Sequence, residues 1–346
     1  MFGHKRLRRQ RKLSFHNLKN VYNHLKYTAC SRVWLPVTMV VDRLLFQRTE
    51  ISMHRVLSDK KAIFLLIAPG LFLFAFMICI PIFMSAYYGS TDWGGIGKYN
   101  FIGFDNYREI LFHDKVFWTS LGNALLLTAA TVFLQHPFAI LIGIFLTNSG
   151  KYEKIFRTIF FIPAVISVVV TAKLWSGIFH PNYGLLNKLL SGVGLDSLTH
   201  DWLGDPKTAI WCIIIVVMWQ GFGYALLLYY SGLQGIPSDL SEAAKIDGAN
   251  NYTLYTRIII PLLSPMMRVA IIIAVTTCLK QMETVFLMTN GGPANSTQFL
   301  GNYLYKTAFS SSLYGYGNAI SILFIVFCLV LTVILNKVLK KDIGEF

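Results

Sequence analysis

The chain is short of charge. Only 14% of its 346 residues are Asp, Glu, Lys or Arg, where a soluble domain carries about 25%. Acidic residues are the scarcer sign, 17 against 31 basic ones. The five cysteines, Cys30, Cys79, Cys212, Cys278 and Cys328, are scattered. That spacing excludes a disulfide framework and a thiolate metal centre, and the cysteines read as small buried hydrophobes. No metal or cofactor is implied. The phosphate-cradling G-x-x-x-x-G-K-[ST] loop is also missing. Its nearest imitation, Gly94 to Lys98, lacks the first glycine at the required spacing and is followed by Tyr99. No internal repeat is evident, which speaks against an inverted-repeat secondary transporter. The first 20 residues are basic and then polar, unlike a cleavable signal.

Apolar residues fill the space that charge leaves. They make up 54% of the chain, and the mean hydropathy is +0.52. This composition describes a polytopic membrane protein. The formal net charge of +14 reads as basic inner tails and loops, not as a nucleic-acid surface.

About 20 apolar residues cross a bilayer core as a helix. Six segments qualify: Ala62–Tyr88, Phe117–Thr147, Ile155–Phe179, Thr208–Gly232, Met266–Thr289 and Gly317–Leu339. Residues 1–61 form a basic tail in which Val33 to Phe46 is too short to span and reads as an amphipathic helix on the cytoplasmic face, a soluble helix being the alternative. Lys and Arg placement puts this tail, the Lys151–Arg157 loop, the Glu242 loop and the C-terminus on the cytoplasmic side.

The loop after the fourth span, within residues 233–265, is the densest signal. Ser238 or Asp239 is expected to cap a short helix over Ser241 to Ile246. Asp247-Gly248 predicts a turn, with glycine free to take positive φ. Asn251 is expected to cap a second helix carrying Tyr252, Tyr255, Ile258 and Ile259. Pro261 and Pro265 return the chain to the bilayer.

This loop, EAAKIDGANNYTLYTRIIIPLLSP, resembles the EAA loop of binding-protein-dependent ABC importer permeases, with its E-A-A-x-x-D-G-A, spacer and I-x-x-P. Glu242, Ala243, Ala244, Asp247, Gly248, Ala249, Ile258 and Pro261 carry the match. Three weaker elements resemble sugar permeases of the maltose and glycerol-phosphate type. They are Phe104-Asp105-Asn106-Tyr107, Asn182 to Asn187 with Trp202-Leu203 beyond, and Thr289-Asn290-Gly291-Gly292-Pro293.

The resemblance implies an all-α membrane protein with six transmembrane helices, both termini cytoplasmic and the MetI-like permease fold over residues 62–346. It implies a permease subunit of an ATP-driven carbohydrate importer in the cell membrane. Its partners would be a second homologous permease, two ATP-binding subunits and an extracytoplasmic sugar-binding protein, with no nucleic acid. Glu242 would make the ionic contact to the ATPase. An ATP-independent transporter or channel is the rival reading.

Polar side chains inside a span are costly unless they face protein or a wet cavity. The fifth span carries Thr276, Thr277, Lys280, Gln281, Glu283 and Thr284, and helical spacing puts Thr277, Lys280, Gln281 and Thr284 on one face. The fourth offers Trp219, Gln220, Tyr224 and Tyr229. Amide, hydroxyl and aromatic groups together suit a sugar. The maltose-type resemblance points to the same two helices, at Val217, Gln220, Gly221, Tyr224, Thr277, Cys278 and Gln281. Lys280 and Glu283 are expected to neutralise one another at i, i+3, the alternative being an acidic sugar on Lys280. His136, Lys173 and Arg268 are expected at helix ends or in polar pockets.

Overall fold

The computed structural model describes residues 60–339. The Val33 to Phe46 segment, Cys30 and the last lysines lie outside them. Residues up to Ile80 and from Pro81 onward form two separate compact units; the described part of the first is helical.

Among the described residues the chain is helical, with no strand beyond one isolated bridge, Thr91 to Phe101. Four helices are each long and apolar enough to cross a bilayer: α1 (Ile63–Gly89), α3 (Lys115–Thr147), α7 (Pro206–Gln234) and α13 (Tyr314–Val338). Short α2 (Asp105–Phe112) precedes α3. Two bent pairs bring the total to six. The first joins α4 (Glu153–Val165) to α5 (Val168–Ile178) through a 95° bend. The second joins α9 (Asn251–Leu262) to α10 (Ser264–Leu279) through a 64° bend. Between these pairs lie α6 (Leu185–Gly192) and α8 (Ser238–Ile246). After them come α11 (Glu283–Met288) and α12 (Leu300–Tyr305).

Two expectations need correction. The third span is not a continuous rod. Pro163 cannot supply an amide to the ladder, the chain turns extended at Ile166 and Ser167, and the Ser167 hydroxyl accepts from Val170 N–H at 3.4 Å to start α5. The fifth span also stops early. The α10 helix ends at Leu279, and residues 280–282 separate it from α11. The polar run Lys280-Gln281 lies at this break, so Thr277 and Thr284 stand on different helices and not on one face. The backbone of the break passes close to Gly301, where a Cβ would come within 3.1 Å of the Met282 Cβ.

Proline leaves a regular trace elsewhere. The π-helical turns Ala75–Cys79, Thr131–Gln135 and Tyr255–Ile259 each end two residues before a proline, namely Pro81, Pro137 and Pro261. A proline has no N–H and its ring crowds the preceding turn. Widening that turn re-pairs the freed carbonyls without breaking the helix.

The α3, α7 and α10 helices share one core around Leu127, Ile213, Ile214 and Val275. A second cluster joins Phe117 and Leu121 of α3 to Ile320 of α13, Ile110 of α2 and Leu300 of α12. Asp114 is the polar counterpart of that cluster. Its carboxylate caps α3 by accepting from Val116 and Phe117 N–H, and it takes the hydroxyls of Tyr303 at 2.5 Å and Tyr316 at 2.8 Å. Burial, reinforced by the Asp114 carboxylate, raises the Tyr303 hydroxyl pKa above its ordinary value.

Candidate coupling knob and polar bundle core

The α8 helix begins three residues earlier than its sequence suggests. Its N-cap is Pro237, which offers no side-chain acceptor, and Ser238 is already helical. At the other end the turn is as expected. Gly248 adopts φ +85°, Ala249 N–H donates to Ala244 O at 2.9 Å, and Gly248 N–H donates to Lys245 O at 3.1 Å. This pair of bonds is the Schellman arrangement, which needs a left-handed residue at the glycine position. The cap of α9 is Asn250, one residue before Asn251, accepting from Thr253 N–H at 2.8 Å.

The motif residues divide by direction. Glu242, Ala243, Asp247, Gly248 and Pro261 are exposed. Ala244 is buried, while Ala249 and Ile258 are partly buried, and all three pack with Leu254 and Ile259 into a cluster. That cluster also holds Ala139 and Ile140 of α3, Ala225, Tyr229 and Leu233 of α7, and Leu263 and Ala270. One side of the helix–turn–helix is thus fused to three spans, and the other side protrudes. A polar tie adds to the seat: the Asn148 side-chain amide, at the end of α3, donates to the Tyr255 hydroxyl at 2.8 Å. Sequence reading missed Asn148, whose place directly after the apolar run of α3 was the available signal.

The polar side chains expected along a substrate path are placed as follows. Gln220 and Tyr224 of α7 both face the break in the third span. Gln220 Nε2 donates to Ile166 O at 2.9 Å, and the Tyr224 hydroxyl donates to Ala164 O at 3.3 Å. These are carbonyls that the broken helix leaves without their own amides. Gly221 leaves space filled by Gln135, whose Nε2 is 3.4 Å from where a Gly221 Cβ would stand. On α10, Thr277 is exposed and donates to Ile273 O. Cys278 is buried and donates to the Thr131 hydroxyl at 3.4 Å. The widened turn Thr131–Gln135 of α3 therefore touches the α7 set at one end and the α10 set at the other.

Lys280 and Glu283 are both exposed, and among the described residues neither joins an ion pair. The helix break between them removes the i, i+3 geometry on which mutual neutralisation depended. His136 lies buried and hydrogen-bonds the Tyr229 hydroxyl, joining α3 to α7. Arg268 donates to Asn336 Oδ1 at 3.0 Å, whereas Lys173 is exposed.

The three weaker motif elements organise loops. Asn106 Nδ2 donates to Gly89 O and Thr91 O, both at 2.9 Å. Asn187 donates to Pro181 O and His200 O and accepts from Trp202 Nε1 at 2.7 Å. Thr289 meets Thr297, which also donates to Gly292 O, while Asn123 of α3 donates to Ser296 O and Gln298 O from below.

Four helices long and apolar enough to cross a bilayer, six with each bent pair taken as one span, carry an anchored, protruding helix–turn–helix, the architecture of an integral membrane component. Residues 137–343 match the family described as the binding-protein-dependent transport system inner membrane component, and the chain belongs to that family. It is 37% identical over 277 residues to a probable ABC transporter permease protein, PH1215, of Pyrococcus horikoshii, covering 79% of this chain and 93% of that protein. It is 36% identical over 262 residues to the multiple sugar-binding transport system permease protein MsmF of Streptococcus mutans, covering 75% and 89%. A crystal structure of a bacterial ABC transporter for import of the acidic polysaccharide alginate contains a chain of the same fold. Its TM-score is 0.71 at 24% identity, over 86% of this chain and 100% of that one.

Proposed function

We propose that this chain is a transmembrane permease subunit of an ATP-driven carbohydrate importer in the cell membrane. It pairs with a second homologous permease, and two separate ATP-binding subunits act on it from the cytoplasm. An extracytoplasmic binding protein delivers the sugar. The chain itself is non-catalytic. The family and the sugar-permease relative support this reading.

The observation that carries it is the two-sided knob. Ile246 and Tyr252 flank the Gly248 turn and stand 86% and 77% exposed, while Ala244, Leu254 and Ile259 underneath are buried against the bundle. Exposed apolar side chains on a rigid protrusion suit insertion into a cleft of another protein. Glu242 beside them supplies the charge for a basic residue there. Motion of the ATPase dimer then moves α3, α7 and α10 together, because all three share the knob's seat. The broken third and fifth spans are where the pathway changes between inward-open and outward-open states, a two-state element biased from a distant site.

Substrate meets the polar bundle core. Gln220 and Tyr224 offer an amide oxygen and an aromatic face, with Gly221 between them against Gln135, while Thr277, Lys280 and Gln281 lie at the α10 end. The test is co-purification of the chain with its ATPase subunit. Glu242→Lys and Ile246→Glu are expected to abolish the association while the chain still inserts and folds. Retention of the ATPase by both variants, or ATP-independent uptake in vesicles lacking any ATPase, would refute the proposal.

A further inference from the structure

We infer that His136 and Tyr229 form a transmission pin: the pair locks the knob-side half of α3 to α7, so that displacement of the knob reaches the break in the third span. Both are positioning residues for translocation, acting through the helices they join. The inference rests on the importer reading above and deepens it.

His136 is 4% exposed and Tyr229 0%, in two helices each long and apolar enough to cross a bilayer. His136 Nδ1 and the Tyr229 hydroxyl share a hydrogen bond, and the rings meet edge to face with centroids 5.5 Å apart. Among the described residues this is the only side-chain hydrogen bond between α3 and α7. The rest of their contact on the knob side is apolar and close. Ala139 and Ile140 cluster with Ala225 and Leu233, and Leu146 with Leu226 and Tyr230. A Cβ on Gly143 would stand 3.3 Å from Leu233 Cδ1. Apolar burial is non-directional, so it does not fix how far one helix slides along the other. A hydrogen bond is directional, and in hydrocarbon no water competes for it.

The pin stands at the far end of a lever. Tyr229 shares a cluster with Ala244, Leu254 and Ile259 of the knob. At the other end of this half of α3, the Asn148 amide donates to the Tyr255 hydroxyl of the knob's second helix. Between them His136–Thr147 is an unbroken α-helical stretch of 12 residues, about 18 Å long at 1.5 Å per residue. It is thus tied to the knob at one end and to α7 at the other. The π-helical turn Thr131–Gln135 adjoins His136 on the side away from the knob and interrupts the regular ladder there, so the lever ends at the pin. From Tyr229, α7 runs on to Tyr224 and Gln220, which hold the Ala164 and Ile166 carbonyls of the broken span. Motion entering at Asn148 reaches that break through Tyr229. A loosened pin leaves the knob docked and the break disconnected from it.

The full complex, with its binding protein and ATPase, is reconstituted into liposomes for the test. ATP-dependent uptake by the wild-type complex is measured over a panel of unmodified di- and trisaccharides, maltose first. The first sugar moved is the probe, and failure of every one would overturn the importer reading and the inference with it. Tyr229→Phe removes one oxygen, and His136→Leu removes its partner nitrogen. In each, sugar moved per ATP hydrolysed by the assembled complex is expected to fall about tenfold. The double variant is expected to be no worse than either single one, because both remove the same bond. His136→Gln, whose amide offers the Tyr229 hydroxyl a new partner, is expected to recover most of the yield. With a wild-type complex that moves the probe, a yield within twofold of wild type in Tyr229→Phe overturns the inference alone. So does a double variant whose loss is the product of the single losses, or a loss that only tracks reduced assembly.

Discussion

The Gln220 side-chain amide donates to the Ile166 carbonyl across 2.9 Å, and this bond ties the fourth span to the break in the third. Tyr224, one turn along α7, does the same for Ala164. In hydrocarbon a freed carbonyl has no water to turn to, so α7 supplies donors where α4 runs out of them. Gln220→Leu strands the Ile166 carbonyl and is expected to cost about 1–3 kcal/mol. Tyr224→Phe, at a longer bond and an exposed ring, is expected to cost less. Thermal unfolding in detergent ranks the two, and equal or reversed losses would contradict the assignment.

Gly248 is a conformational requirement and not a packing one. Nothing lies within 4 Å of a Cβ built there, yet its φ is +85°. Gly248→Ala is therefore expected to destabilise the knob through backbone strain alone, by about 1–2 kcal/mol. Gly248→Asn is expected to cost less, since Asn tolerates the left-handed region. Hydrogen exchange at Ala249 N–H, which the turn protects, reads the effect directly. Unchanged protection in the alanine variant would show that the turn does not depend on glycine.

These two sites mark what was legible in the sequence. The turn at Gly248 was readable because its chemistry is local: a glycine follows an acidic residue between two amphipathic stretches. The second cap is one residue from its expected place because Asn250 and Asn251 are equivalent as side chains and only the path of the chain chooses between them, while α8 starts at Ser238 without any side-chain cap, because Pro237 turns the chain into the helix. The break in the third span was hidden because Val165 to Val170 is an apolar run interrupted only by Ser167, and hydropathy does not see a bend. Pro163 with Ser167 four residues on was the available clue. The roles of Gln220 and Tyr224 could not be read at all, since the carbonyls they satisfy are more than 50 residues away. The break at Lys280 was the opposite case. Its polar residues were visible but were read as one helical face.

Asp114 gathers two tyrosine hydroxyls and two helix-start amides, so its loss orphans four donors at once. Asp114→Ala is expected to cost about 3–5 kcal/mol, the range for breaking a buried charged network, and Asp114→Asn distinctly less. The alkaline limb of the stability curve gives a finer check. The Tyr303 pKa is raised in the folded state, by burial first and then by the Asp114 carboxylate. The neutral hydroxyl is thus the form that the fold favours. Its contribution is complete below the ordinary tyrosine pKa of about 10 and is lost as pH rises beyond it. Tyr303→Phe is expected to flatten that limb in pH-dependent thermal unfolding. A wild-type limb that keeps its slope in the Phe variant would assign the alkaline loss to another group.

Close approach of α7 to the third span sets the length of the bonds that begin at Gln220 and Tyr224. Gly223 lies between them on α7, and a Cβ there would stand 3.0 Å from Phe160 O and Phe161 Cα and 3.1 Å from the Ala164 Cβ. Two of these three atoms are backbone, so no rotamer change relieves the crowding. Gly223→Ala therefore pushes α4 outward and lengthens the Tyr224–Ala164 and Gln220–Ile166 bonds together. The expected cost is about 1–3 kcal/mol, typical of overpacking, together with weaker coupling between the two bonds. A double-mutant cycle resolves that second term: in the Gly223→Ala background, Gln220→Leu should cost less than it does in wild type, because the bond it removes is already stretched. Strict additivity of the two changes would mean that the third span moves as a rigid body without loosening its break, and that Gly223 serves packing alone.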